Sequence, residues 1–230
     1  MPSGPARSGI SESNNQEGRM SMDIPASLVK TLREKSGAGM MDCKNALVEM
    51  EGDLEKALDH LRQKGLADAA NKAGRTATEG LVYAYIHAGG KIGVLVEVNC
   101  ETDFVALTPQ FQEFVKDVAM QVAAASPLCV RREDVPTEVI AREREVYAGQ
   151  ARETGKPENI LNKIVDGKID KFYREVVMLE QAFIKDPDKD VQTLLKEKIA
   201  ELGENISIRR FSRFQVGEGL EHEEKNLAEE

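Results

Sequence analysis

No apolar run in the chain approaches the ~20 residues that a membrane-spanning helix requires, so nothing in it reads as a helical span. Cysteine is scarce. Cys43, Cys100 and Cys129 are three in number and far apart, a set that points to a reducing compartment rather than a disulfide scaffold. The three histidines, His60, His87 and His222, are equally dispersed. No Cys-x-x-Cys, His-Glu-x-x-His, Walker-type Gly-rich loop or dinucleotide fingerprint occurs. Gly37-Ala38-Gly39 follows no strand and reads as helix punctuation rather than a phosphate loop. Basic residues are also in deficit. Lys and Arg total 31 against 40 Asp and Glu, for a net charge of −9 and a pI near 5.1, which argues against nonspecific binding to nucleic acid or to an acidic membrane. The N-terminus lacks the apolar stretch of a secretory signal, and its acidic residues Glu12 and Glu17 fit a transit peptide badly. Residues 1–21 are expected to be a flexible extension, either a cloning remnant or a flank left by processing, with Met20 or Met22 as a natural start.

What is present suits one or two globular domains: 230 residues, 41% hydrophobic and 31% charged. Three short helices are expected over residues 22–65. Leu28, Val29 and Leu32 line the first, which Gly37-Ala38-Gly39 ends. The second carries Met40, Met41, Ala46, Leu47 and Met50, with Asp42 in its first turn, where the helix dipole favours an anion. Gly52-Asp53 supplies a turn and an N-cap for the third, striped by Leu54, Ala57, Leu58 and Leu61, with Gly65 as its C′ residue. The methionines read as filler for a thin core. Residues 66–79 form an alanine-rich linker helix. Two β-rich runs around Gly89-Gly90 predict a hairpin. Thr108-Pro109 starts a helix that buries Phe111, Val115, Val118, Ala119 and Val122 and stops at Ser126-Pro127.

Charged runs on either side of Gly155-Lys156-Pro157 predict a projecting helical hairpin over residues 136–175, an antiparallel coiled coil. Val177 to Ile184 is expected as a strand. A helix through Val191, Leu194, Leu195, Ile199 and Leu202, ended by Gly203, follows, then a strand from Asn205 to Phe214. Residues 220–230 read as a disordered acidic tail. The fold class is therefore α+β: a three-helix bundle, a linker, and a core at 80–219 with antiparallel strands.

Between the hairpin and the Thr108 helix lies the connector Thr102-Asp103-Phe104-Val105. An aromatic on a connector held by rigid elements is either a binding anchor or a residue folded back into its own core, and the local pattern favours the core. Cys100 and His87 make no dyad. With Gly89-Gly90 as the turn they sit roughly 27 Å apart, at about 3.4 Å per residue, and Cys100 reads as a small buried residue. Arg209, Arg210 and Arg213 with Phe211 and Phe214 suggest a stacking platform for nucleic acid. Alternation, however, groups Arg209, Phe211 and Arg213 against Ile206, Ile208 and Phe214, so a solvated or salt-bridged sheet face is the better reading. The residues alone lead to a binding protein and stop there.

Two long motifs go further. Val29-Lys30-Thr31-Leu32-Arg33-Glu34-Lys35-Ser36-Gly37-Ala38-Gly39-Met40-Met41-Asp42-Cys43-Lys44 and Val96-Glu97-Val98-Asn99-Cys100-Glu101-Thr102-Asp103-Phe104-Val105-Ala106 resemble the translation elongation factor Ts family. So do Gly155-Lys156-Pro157, Phe172, Gly203-Glu204-Asn205-Ile206 and Gly217-Glu218-Gly219, which together carry the resemblance from about Ile24 to Gly219. It implies a guanine-nucleotide exchange factor for elongation factor Tu, without catalytic residues or cofactor of its own, whose N-terminal bundle is similar to a ubiquitin-associated domain. It implies that Thr102, Asp103, Phe104 and Val105 dislodge the GTPase's magnesium, with Phe104 as a wedge, and that Gly39, Met40, Met41 and Asp42 dock on the partner. The ion belongs to the partner, so no metal site is expected here. A ubiquitin- or RNA-binding adaptor without exchange activity is the competing reading. Longer members carry a duplicated core where this chain has room for one copy, which suggests a homodimer. No direct nucleic-acid or membrane partner is expected. The family implies a bacterial cytoplasm, with plastid stroma or mitochondrial matrix as alternatives. Glu180-Gln181-Ala182-Phe183 stands where the resemblance would put Gly-Gln-Pro-Phe, a departure from the family's pattern at that turn.

Overall fold

The computed structural model describes residues 24–153 and 157–220. The expected N-terminal extension, Gly155-Lys156 of the hairpin turn and the tail beyond Leu220 lie outside them. Three helices open the described chain: α1 (Ala26–Ser36), α2 (Met40–Glu49) and α3 (Leu54–Lys72). Each boundary has a local cause. Gly37 takes the left-handed conformation at φ 68° and closes α1, and the Asp53 carboxylate accepts from the N–H groups of Glu55 and Lys56 to start α3. Val29, Leu32, Cys43, Ala46, Leu47, Ala57 and Leu61 form their common core.

Two expectations fail here. Met40 and Met41 are exposed rather than core filler, and only Met50 packs on that core. Gly65 does not end α3, which runs on to Lys72. Its missing side chain serves packing instead, because a Cβ there would lie 2.9 Å from the Ala200 Cβ.

The larger core lies under a three-stranded antiparallel sheet of order β1-β2-β5, from β1 (Glu79–Ile86), β2 (Ile92–Cys100) and β5 (Ile206–Gln215). Glu79 pairs with Cys100 and Ile86 with Gly93, so His87 and Cys100 stand at opposite ends of the hairpin. A four-residue helix, α4 (Asp103–Ala106), leads into α5 (Pro109–Ala125). Thr108 caps α5 by accepting from the Phe111 N–H, with Pro109 at its first position, and Phe111, Phe114, Val115, Val118, Ala119 and Val122 are buried against the sheet side of the core. After α5 come α6 (Thr137–Arg152) and α7 (Glu158–Val176), which share an apolar cluster of their own around Ala151, Val165 and Ile169. Tyr173 also packs against that cluster. The last helix, α8 (Val191–Leu202), is capped by the Asp190 side chain on the Thr193 N–H and ended by Gly203 at φ 76°. It packs along α3.

Val177 to Ile184 is not one strand. Val177 makes a single parallel bridge to Cys129, residues Met178–Glu180 form a 3₁₀ turn, and only β3 (Ala182–Phe183) pairs, with β4 (Asp186–Asp190). A buried amide network replaces the missing ladder. Gln121 Nε2 donates to Gln181 Oε1 (3.1 Å) and to the Ala182 carbonyl (3.2 Å), and Gln121 Oε1 accepts from the Ile184 N–H (2.9 Å). Gln181 Nε2 donates to the carbonyls of Glu175 (2.8 Å) and Ala125 (3.3 Å). Glu180 pairs with Arg132. Gln121→Leu takes away the partner of the buried Gln181 Oε1, of the Ala182 carbonyl and of the Ile184 N–H. It is expected to lower stability by about 1–3 kcal/mol, read as a lower urea midpoint with an unchanged m-value.

In β5 a bulge opposite Glu97 and Val98 sets Arg209 out of register and reverses the alternation beyond it. Phe211 packs on the core and Phe214 is exposed, the reverse of simple alternation. Arg209 Nη1 and Arg210 Nε both donate to the Glu97 carboxylate at 2.6 Å. These bonds, the one from Arg209 foremost, hold the Glu97 carboxyl below the usual carboxylate range.

Candidate partner-docking site

The connector Thr102-Asp103-Phe104-Val105 is a capped helical turn rather than an open loop. Thr102 is extended at φ −127°, ψ 153°, and its hydroxyl accepts from the Val105 N–H (3.4 Å). α4 then packs on β1, β2 and α5, Ala106 is buried and Val105 is half-buried against the main core. With that side of the turn inward, the other must point out. Phe104 is 79% exposed and Leu107 70% exposed. Phe104 therefore does not fold back into its own core. Asp103 is exposed beside it.

Behind the turn, the backbone is tied to the connector between α8 and β5. The Glu204 carboxylate accepts from the N–H groups of Glu101 (3.1 Å) and Thr102 (3.0 Å) and from the Thr102 hydroxyl (2.6 Å). The Asn205 N–H donates back to Glu101 Oε1 (2.6 Å). Cys100, fully buried, donates its Sγ–H to the Thr102 carbonyl (3.1 Å). Burial first, then the Glu204 carboxylate, pushes this thiol up to about 11, so it is protonated at neutral pH.

The second group, Gly39, Met40, Met41 and Asp42, opens α2. Gly39 precedes the helix at φ −60°, ψ 150°, Met41 is 64% exposed and Met40 is nearly half exposed. The Asp42 carboxylate accepts from Lys64 Nζ at 3.2 Å. Asp42 and Lys64 line one side of a cleft of about 720 Å³ whose other side is Glu197, Lys198 and Glu201 of α8. The two groups are not in one patch: α2 packs on α1 and α3, whereas α4 packs on the sheet and α5. What connects them is α3 lying along α8. Among the described residues, no group of three or more His, Cys, Asp or Glu is placed to hold a metal ion, and no helix is long and apolar enough to cross a membrane.

Two residues of this region escape sequence reasoning. Leu107 becomes visible only once Thr102 is seen to cap a helical turn, which places it three residues on from Phe104 and on the same face. Glu204 carries a faint signal, an acid directly after the left-handed Gly203. Nothing local says that it reaches a segment 102 residues earlier.

The fold and this surface define an α+β protein that presents an exposed apolar turn on a rigid frame. The family model described as elongation factor Ts matches residues 67–218. Among curated proteins, the elongation factor Ts of Geobacter sulfurreducens is 63% identical over 209 residues, covering 91% of this chain and 97% of the relative. That of Carboxydothermus hydrogenoformans is 62% identical over 207 residues, covering 90% and 95%. That of Caldanaerobacter subterraneus is 63% identical over 198 residues, covering 86% and 99%. The chain belongs to the elongation factor Ts family.

Proposed function

We propose that the protein is a guanine-nucleotide exchange factor for elongation factor Tu in translation elongation, and that it works by binding rather than by chemistry of its own. Family membership supports the partner. The observation that supports the working part is the exposure of Phe104 on a turn whose opposite side is locked into the core. In this reading Thr102, Asp103, Phe104 and Val105 engage the GTPase beside its nucleotide and dislodge its magnesium, with Phe104 entering an apolar pocket. Residues 22–65 act as a ubiquitin-associated-like docking domain that offers Gly39, Met40, Met41 and Asp42, residues 66–79 link it to the core at 80–219, and α6–α7 is a coiled-coil arm of that core.

Exchange requires tighter binding to the empty partner than to the loaded one, and each tenfold loss of nucleotide affinity needs about 1.4 kcal/mol of that preference. Fully burying a phenylalanine supplies roughly 1.5–3 kcal/mol. Phe104 thus accounts for one or two decades, and the bundle and core must supply the rest. The test is release of a fluorescent GDP from elongation factor Tu. Acceleration by the chain is expected, and release at the intrinsic rate would sink the reading. A ubiquitin- or RNA-binding adaptor would instead capture those ligands and leave GDP release unchanged.

We also propose that two chains pair through the outer face of the sheet. Register places Val82, Ala84 and Ile86 of β1 beside Leu95 of β2 and Phe214 of β5 on the side away from α5, and Val82, Ile86, Leu95 and Phe214 are exposed. A second copy of the same apolar face is the occupant that a single-copy core calls for, with the symmetry of an isologous dimer. Light scattering is expected to give twice 25.4 kDa for the wild type and the single mass for Phe214→Glu. A clean 25.4 kDa wild-type particle would remove the dimer.

A further inference from the structure

α4 has four residues, too few to hold itself together, because the first hydrogen-bonded turn of a helix fixes several torsions for one bond. Something outside it must set its shape. The Thr102 hydroxyl caps the turn, and a hydroxyl can rotate. Glu204 removes that freedom. A carboxylate only accepts, so at 2.6 Å the Thr102 Oγ1–H must donate to Glu204 Oε1, which leaves the oxygen lone pairs for the Val105 N–H. Glu204 Oε2 meanwhile accepts from the N–H groups of Glu101 and Thr102 and fixes the extended backbone from which the turn departs. The return bond from Asn205 N–H to Glu101 Oε1 pins the other end of the same clamp. Asn205 Nδ2 donates in addition to the Arg75 carbonyl (2.7 Å), and Arg75 Nη1 lies 3.6 Å from Glu101 Oε1, so the segment after α3 joins the same knot.

We propose that Glu204 is a positioning residue for exchange: it holds the Thr102 cap, and through it the attitude of Phe104, so that the turn meets its partner already ordered. The proposal rests on the exchange-factor reading above. Its physical content is preorganisation, since a turn that must be ordered during binding loses that ordering cost from the affinity. A merely structural role, tying β5 to β2, is the bland competitor, and it does not require any link to Phe104.

The full-length Glu204→Gln protein separates them. An amide has one acceptor oxygen where the carboxylate has two. Either Oε1 stays on the backbone N–H groups and Nε2 meets the Thr102 hydroxyl as a donor, which reverses that bond and frees the hydroxyl proton, or Oε1 keeps the hydroxyl and the backbone links are lost. Three results are expected. GDP release from elongation factor Tu slows about tenfold at subsaturating concentration, about 1.4 kcal/mol. Amide hydrogen exchange quickens at Thr102 and Val105. In the Phe104→Ala background the same change costs no more than about twofold, because residues acting as a unit are not additive. Full additivity of the two losses, or wild-type release together with undisturbed Thr102 and Val105 amides, would overturn the proposal. If Glu204→Gln does not fold, Thr102→Val removes the hydroxyl link together with the Val105 cap that it holds, leaves the Glu204 bonds to the backbone in place, and carries the same expectations. Failure of the wild type to accelerate release strikes the exchange-factor reading and the positioning role with it, while the amide measurement still reads whether the clamp orders the turn.

Discussion

Phe104→Ala is expected to slow GDP release from elongation factor Tu by about ten- to a hundredfold while leaving the thermal unfolding midpoint where it was. The two halves of that expectation have one cause. A side chain that is 79% exposed contributes little to its own fold, so its removal opens no cavity. The roughly 1.5–3 kcal/mol that burial of a phenylalanine provides is realised only when a partner covers it. Asp103 and Val105 do not substitute for it, since one is charged and the other faces the core. Leu107, exposed on the same side, is expected to keep part of the contact. For that reason the loss should not reach the full rate enhancement. A Phe104→Ala protein that is destabilised, or that exchanges at the wild-type rate, would mean that the turn works through its own core and not through a partner.

Gly65→Leu is expected to have the larger effect on exchange, on the order of a hundredfold, although Gly65 is in neither docking group. Two contact elements on one rigid frame bind with an effective-concentration advantage of about 10²–10⁴ over either alone, and that advantage vanishes when the geometry no longer lets both engage. The frame here is the α3–α8 contact. α3 carries the bundle, with Met40 and Met41 at the start of α2. α8 leads through Gly203 to Glu204 and so to the Thr102 turn. At the crossing a bare Cβ on residue 65 would already sit 2.9 Å from the Ala200 Cβ, and both atoms belong to helices. A leucine must therefore wedge the helices apart. Helix propensity works in the opposite direction by about 1 kcal/mol, glycine being poor in a helix interior, while overpacking costs about 1–3 kcal/mol. The net change in stability is thus small beside the change in exchange. Gly65→Ala should fall between the two. Undiminished exchange by Gly65→Leu would show that bundle and turn act independently.

The sequence makes parts of this structure plain and hides others for identifiable reasons. Caps are legible because their chemistry is local: Asp53, Thr108 and Gly203 each mark a boundary within four residues of the group they satisfy. Gly65 reads as a helix end for the same reason, yet it is there for a helix more than a hundred positions away. Phe211 and Phe214 exchange faces because one bulged residue, Arg209, resets a period of two. Val177 to Ile184 has strand-like composition, but the buried glutamines Gln121 and Gln181 satisfy its backbone in place of a ladder. At the candidate site the local pattern picks out the Thr102-Asp103-Phe104-Val105 connector but favours a core role for Phe104, and only the resemblance points to a partner. The exposure of Phe104 depends on Val105 and Ala106 taking the inward side, and the hold of Glu204 depends on a contact across the whole core.

Differential binding is the central claim, and it is reciprocal. The direct measurement is calorimetric: the affinity of the chain for elongation factor Tu with and without GDP, and the affinity of the GTPase for GDP with and without the chain. The expected result is that GDP weakens binding of the chain by the same factor by which the chain weakens GDP, with that factor reduced about ten- to a hundredfold in Phe104→Ala. Equal affinity of the chain for the loaded and the empty GTPase would contradict it, because a ligand that does not distinguish two states cannot shift them.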